Sequence, residues 1–308
     1  MGLMNNKGRK VVQISILARI YGNVNADEVI GTRVTLKKMY STSGEVLPFV
    51  SPRAIKYGIR QALKERGYEI DPFIENPEAV EALRLSDSGR PDRYVDNDLF
   101  GYMVTRGRRE TARKRHAPVA FSYLKAIRDT PIFTEFAARF PRRLETESNP
   151  VPFEIEVADF LGKLNCLIYD YIGDFREDKK QKGAPEDLPD MLPREERERR
   201  LRDFLEILLT PSYVLPKRTN SLNVPEYYVA LISLSYGPQP IYQYLDYDLE
   251  NNRVNSEKLS RLVNLKAFKE GSAKVFLIDY KGVSGDVTGI EIVDVSEAID
   301  RIIEFYFS

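Results

Sequence analysis

Histidine and cysteine are nearly missing from this 308-residue sequence, which has one of each, His116 and Cys166. A lone cysteine excludes an intrachain disulfide, and one histidine with one cysteine cannot build a Cys/His zinc cluster. No apolar run approaches the roughly 20 residues of a membrane-spanning helix, and residues 1–10 lack the apolar stretch of a secretion signal. The expectation is a soluble, cytoplasmic protein without a membrane partner or a cofactor. Net charge is missing too, with 46 Lys and Arg against 46 Asp and Glu. The length suits one elaborated core with insertions better than a string of modules.

The charges are unevenly placed. Residues 31–66 carry net +6 and residues 106–143 net +8, which leaves −14 for the remainder. Such asymmetry fits a polyanion groove on one face, and also head-to-tail contact between copies. A solvated loop is an equal reading of the second run.

Residues 10–21 (KVVQISILARIY) alternate apolar and polar side chains, as a strand does. Residues 33–40 and 45–50 flank a turn cluster at 41–44 and predict a hairpin. Ser51 as N-cap, Pro52 in the first turn and Gly67 as terminator predict a helix over 52–66. Residues 71–115 are irregular apart from a short helix at 77–83, and 118–127 is strand-like. Residues 128–150 hold three prolines and no clear period, 153–171 returns to strand alternation, and 176–190 reads as a mobile charged loop.

Further helices are predicted at 193–209, at 256–270 and at the end of the sequence, the last capped by Asp294 or Ser296. Strands are predicted at 227–236, 241–247, 274–280 and 287–293, the last two joined as a hairpin through the Gly282, Gly285 and Gly289 region. Strands interspersed with helices without βα regularity indicate an α+β fold with a ferredoxin-like antiparallel sheet and two insertions.

The segment 51–63 (SPRAIKYGIRQAL) is the most informative. Arg53, Lys56 and Arg60 share one helical face, and Ile55, Ile59 and Leu63 share the opposite one. The cations, Ser51 and the first-turn N–H groups suit a phosphate site, while an ordinary amphipathic helix with solvated cations explains the same pattern.

This segment resembles the serine-then-Lys/Arg helix opening that follows the first strand and hairpin in DevR-like backbone subunits of type I CRISPR Cascade complexes, within the RAMP superfamily. Residues 21–25 (YGNVN) end the first strand as in that family, and 96–103 (DNDLFGYM) is similar to its D-x-D-L-F-G-Y-M signature. Looser similarity continues through 117–127 and 152–164, so the first half is covered well and the second only in outline. The resemblance implies an RRM-like palm (1–70 and 151–308), a helical finger insertion (71–117) and a thumb-like insertion (128–150), beside the charged loop at 174–192. It also implies a non-catalytic antiviral-defence subunit that polymerises as a helical filament along guide RNA, beside other Cascade subunits, and meets target DNA indirectly through the guide.

Under that resemblance Ser51, Arg53, Lys56 and Arg60 contact phosphates, Asn23 and Asn25 contact the backbone or a 2′-OH, and Arg218 is a further RNA contact. Ile132, Phe133 and Phe136 become the thumb wedge between bases. Asp96 and Asp98 read as a capped turn before Leu99 and Phe100 rather than a metal site. His116 and Asp27 are the residues a RAMP-superfamily ribonuclease would need, and a DNA-binding autoregulator is the third reading, although no helix-turn-helix pair is evident.

Overall fold

The computed structural model describes residues 8–24, 26–75, 85–104, 112–140, 149–216, 222–285 and 287–308. The expected helix at 77–83 lies outside them. In chain order the elements begin with β1 Lys10–Gly22, β2 Ala26–Ile30, β3 Arg33–Leu36, β4 Lys38–Tyr40, β5 Val46–Val50 and α1 Pro52–Glu65. Next come β6 Ile74–Glu75, β7 Leu85–Ser86, α2 Val95–Phe100, β8 Tyr102–Val104, β9 Arg113–Arg115, β10 Val119–Phe121 and β11 Leu124–Ala126. The middle holds β12 Phe133–Arg139, β13 Val151–Tyr169, α3 Arg176–Lys179, α4 Arg194–Leu209 and β14 Glu226–Tyr236. After a 3₁₀ turn at Ile241–Gln243 follow β15 Tyr247–Asp248, β16 Arg253–Val254, α5 Ser256–Val263, α6 Lys266–Lys269, β17 Ala273–Asp279, β18 Glu291–Ile292 and α7 Val295–Phe307.

The main sheet runs β18-β17-β14-β1-β13-β11-β5-β4, with β10 and β12 also on β13. Its centre, β14-β1-β13-β10/β11 with α1 and α4 as crossovers, is the ferredoxin-like order, and the central pairs are antiparallel. Alternation gives β1 two faces. Val12, Ile14, Ile16, Ala18 and Ile20 enter the core shared with α1, α4 and α7, while Leu17 packs with Leu231, Leu259 and Leu277 on the other side.

The α1 helix starts at Ser51, whose Oγ accepts the Ala54 N–H at 3.3 Å, and it buries Ile55, Ile59 and Leu63 completely. Each contributes about 1.5–3 kcal/mol by leaving water. Gly58 lets the helix meet the chain at Val214, whose carbonyl oxygen would lie 2.7 Å from a Cβ there.

Several expectations are corrected. Residues 133–139 form a strand, because β13 pairs with it from Phe133↔Val157 to Arg139↔Val151, so the described part of the thumb-like insertion is a β ribbon. Residues 241–247 start as a 3₁₀ turn, held by a bond from the Gln239 N–H to the Gln13 Oε1. The helix expected over 256–270 breaks between α5 and α6. β17 and β18 pair in parallel, so the glycines of 282–289 belong to a crossover and not to a tight hairpin; Asp279 accepts the N–H groups of Lys281, Val283 and Ser284 there. The described part of 71–117 holds one short buried helix and two strand pairs. Residues 174–192 are anchored to the body: Phe175 and Leu188 are buried, and Asp178 meets Arg115 at 2.6 Å.

Candidate nucleic-acid interface

Arg53, Lys56 and Arg60 share one face of α1, yet they differ in what holds them. Arg53 is exposed and has no hydrogen-bond or ion-pair partner among the described residues. Lys56 lies half-buried with its ammonium over the Phe100 ring, 5.3 Å from the centroid, and without a carboxylate partner among the described residues. Burial lowers its pKa below the usual lysine value, and Arg60 adds to that effect. Arg60 packs on the same ring at 5.2 Å, but its Nε donates to the Asp96 Oδ2 at 2.8 Å, and Asp96 is buried. Arg60 therefore ties α1 to α2, which leaves Arg53 and Lys56 as the cations of this face without a carboxylate partner among the described residues.

Asn23 turns inward. Its Nδ2 donates to the Glu156 carbonyl oxygen at 2.6 Å, and its Oδ1 is buried without a partner among the described residues. It fastens the end of β1 to β13 and cannot reach a ribose from that position, contrary to the expectation. Asn25, Arg218 and the side chain of Asp27 lie outside the described residues.

In the ribbon, Phe133 and Phe136 are 62% and 73% exposed, whereas Ile132 is half-buried against the main core. A spacing of three along a strand puts the two phenylalanines on opposite faces. His116 is exposed, and its carbonyl oxygen accepts the Tyr171 hydroxyl at 3.3 Å.

The acidic signature of α2 works as an anchor. Asp98 is fully buried and accepts from Arg115 Nη2 at 2.7 Å, Arg200 Nη1 at 2.9 Å and the Gly173 N–H at 3.0 Å. Asp96 accepts the Asp71 N–H at 3.0 Å besides Arg60. Both carboxylates cap backbone N–H groups, as expected, but distant ones, and they also neutralise arginines that local sequence could not pair with them. Gly101 closes the motif at φ 75°, where a Cβ would stand 2.4 Å from the Arg115 carbonyl oxygen.

Fold and site together define an α+β chain built on a ferredoxin-like sheet, with cations on the helix after its first strand and hairpin. The chain belongs to the DevR family: the model for "CRISPR-associated negative auto-regulator DevR/Csa2" matches residues 8–243. Two solved structures are similar in fold. A chain of a "CRISPR RNA-guided surveillance complex" superposes with a TM-score of 0.60 at 14% identity, covering 96% of this chain and 100% of that one. A chain of a "CRISPR RNA-guided surveillance complex, pre-nicking" gives 0.58 at 12%, with the same coverages. No curated protein sequence matches significantly. Among the described residues no helix is long and apolar enough to cross a membrane.

Proposed function

We propose that this chain is a non-catalytic, cytoplasmic subunit of a CRISPR interference complex that grips guide RNA by its sugar-phosphate backbone. Copies follow one another along the RNA, beside other subunits, and leave the bases free to pair with target DNA. The observation that carries the reading is the pair Arg53 and Lys56, cations on the outer face of α1 with no acidic partner among the described residues. Backbone contact suits a subunit that must coat any guide, because phosphates carry no sequence information. Family membership supports the reading, as does a fold shared with chains of RNA-guided surveillance complexes. The family description names a negative auto-regulator, which favours a second reading, a DNA-binding autoregulator.

Purification without nuclease separates the two. Intact RNA of mixed sequence that co-purifies, and is lost when Arg53 and Lys56 become alanine, supports the guide-binding subunit. Co-purifying duplex DNA of one sequence supports the autoregulator, and RNA shortened during incubation contradicts the non-catalytic assignment.

A further inference from the structure

On the sheet face opposite α1, the strands β4, β5, β11 and β13 border a cleft of about 640 Å³. This volume suits one nucleotide. Leu124 pairs with Val50 and Lys125 with Phe49, so Tyr123 lies where β5 hands over to α1. Its ring is 50% exposed and is braced edge-on by Phe49, with centroids 5.1 Å apart at 86°. A braced, half-exposed aromatic face offers a base a stacking surface that is already in place.

The floor supplies polar groups that the protein leaves open. Asn165 receives the Ser15 hydroxyl on its Oδ1 at 2.7 Å, and its Nδ2 has no partner among the described residues. Gln243, at the rim, is exposed and also without a partner there.

Charge points the same way. Lys125, Arg128, Lys163 and Lys258 line the cleft against two carboxylates, Glu45 and Asp246. Asp246 is already held by Arg128 at 3.2 Å and by Lys258 at 2.5 Å. Lys163 donates hydrogen bonds to the Tyr242 and Leu245 carbonyl oxygens at 2.9 and 3.1 Å, and stands directly opposite Lys125 in the register. Lys125 is exposed and has no acidic partner among the described residues.

We infer that this cleft takes one unpaired nucleotide of a bound single-stranded RNA, its base stacked on Tyr123 with the Asn165 and Gln243 amides beside its edge, its phosphate beside Lys125, while the other bases stay free to pair. The inference rests on the proposed RNA binding and adds a contact to the base that the backbone grip of α1 lacks.

The test compares two polymers of equal charge, a 12-nucleotide oligouridylate and its abasic ribose-phosphate counterpart, by fluorescence anisotropy on the full chain. Tyr123→Ala weakens oligouridylate binding by about 5-fold to 150-fold and leaves the abasic polymer unchanged, while Tyr123→Phe binds both like the parent. Replacing Arg53 and Lys56 by alanine weakens both polymers alike. If Tyr123→Ala changes neither polymer, or both equally, the base pocket is overturned. If the Tyr123 effect stands while the α1 variant is silent, the backbone grip fails and the pocket survives. If the parent binds neither polymer, both fall.

Discussion

Replacing Asp98 by asparagine tests whether the α2 signature is a structural anchor. The side chain is 0% exposed and neutralises two guanidiniums that are themselves almost fully buried, Arg115 and Arg200. Each arginine keeps one further carboxylate, Asp178 for Arg115 and Glu196 for Arg200, so the variant leaves two cations against two carboxylates and what it loses is the buried carboxylate that both guanidiniums share. Removing one partner of a buried ion pair costs about 3–5 kcal/mol. With roughly 2.1 cal/mol/K of unfolding entropy per residue over 308 residues, the melting midpoint falls by roughly 5–8 °C. Differential scanning calorimetry reads this, with Glu257→Ala, which breaks the exposed pair to Arg261, as a control that shifts the midpoint by less than about 1 °C. An Asp98→Asn midpoint as little moved as the control refutes the anchor.

Four further outcomes are expected. Arg53→Ala with Lys56→Ala lowers the slope of log affinity for single-stranded RNA against log salt by about 1.4, at about 0.7 for each lost phosphate contact; an unchanged slope removes these residues from the interface. Arg60→Ala lowers the melting midpoint by leaving buried Asp96 unpaired, so a loss of RNA affinity at unchanged stability contradicts its assignment as a tie to α2. Gly101→Ala destabilises by several kcal/mol, since it combines a positive φ with a backbone clash, and soluble variant with a parental midpoint contradicts that.

The fourth concerns acid. Burial raises the pKa of Glu156, but the Leu36 N–H and the Lys38 ammonium outweigh this and hold it below the ordinary glutamate value of 4.5. Its contribution to stability is therefore complete above about pH 4.5 and is lost as the pH falls through the lowered folded value. Glu156→Gln should flatten the acid side of the stability profile, and a profile parallel to the parent's contradicts the sign.

The elements that sequence predicted well carry their signals locally. Strand alternation in β1, the Ser51-Pro52 opening of α1 and the Asp294 cap of α7 lie within a few residues of what they specify. What sequence missed depends on distant partners. FTEFAAR does not alternate, and β12 exists because β13 pairs with it. Nothing near Glu291 announces a parallel partner at Phe276. Arg60 resembles Arg53 and Lys56 on a helical projection, and only Asp96, 36 residues away, sets it apart. Asn23 is another such case, since its partner is a backbone carbonyl on β13. The Tyr123 cleft draws its walls from segments scattered between residues 39 and 258, a constellation with no spacing to read.

The most direct test of the proposed function is native mass spectrometry of the chain mixed with RNAs of one length and of twice that length. A filament-forming, non-cutting subunit predicts that the number of copies rises in proportion to RNA length and that each RNA keeps its full mass. One copy at both lengths contradicts assembly along the guide, and RNA fragments contradict the non-catalytic role.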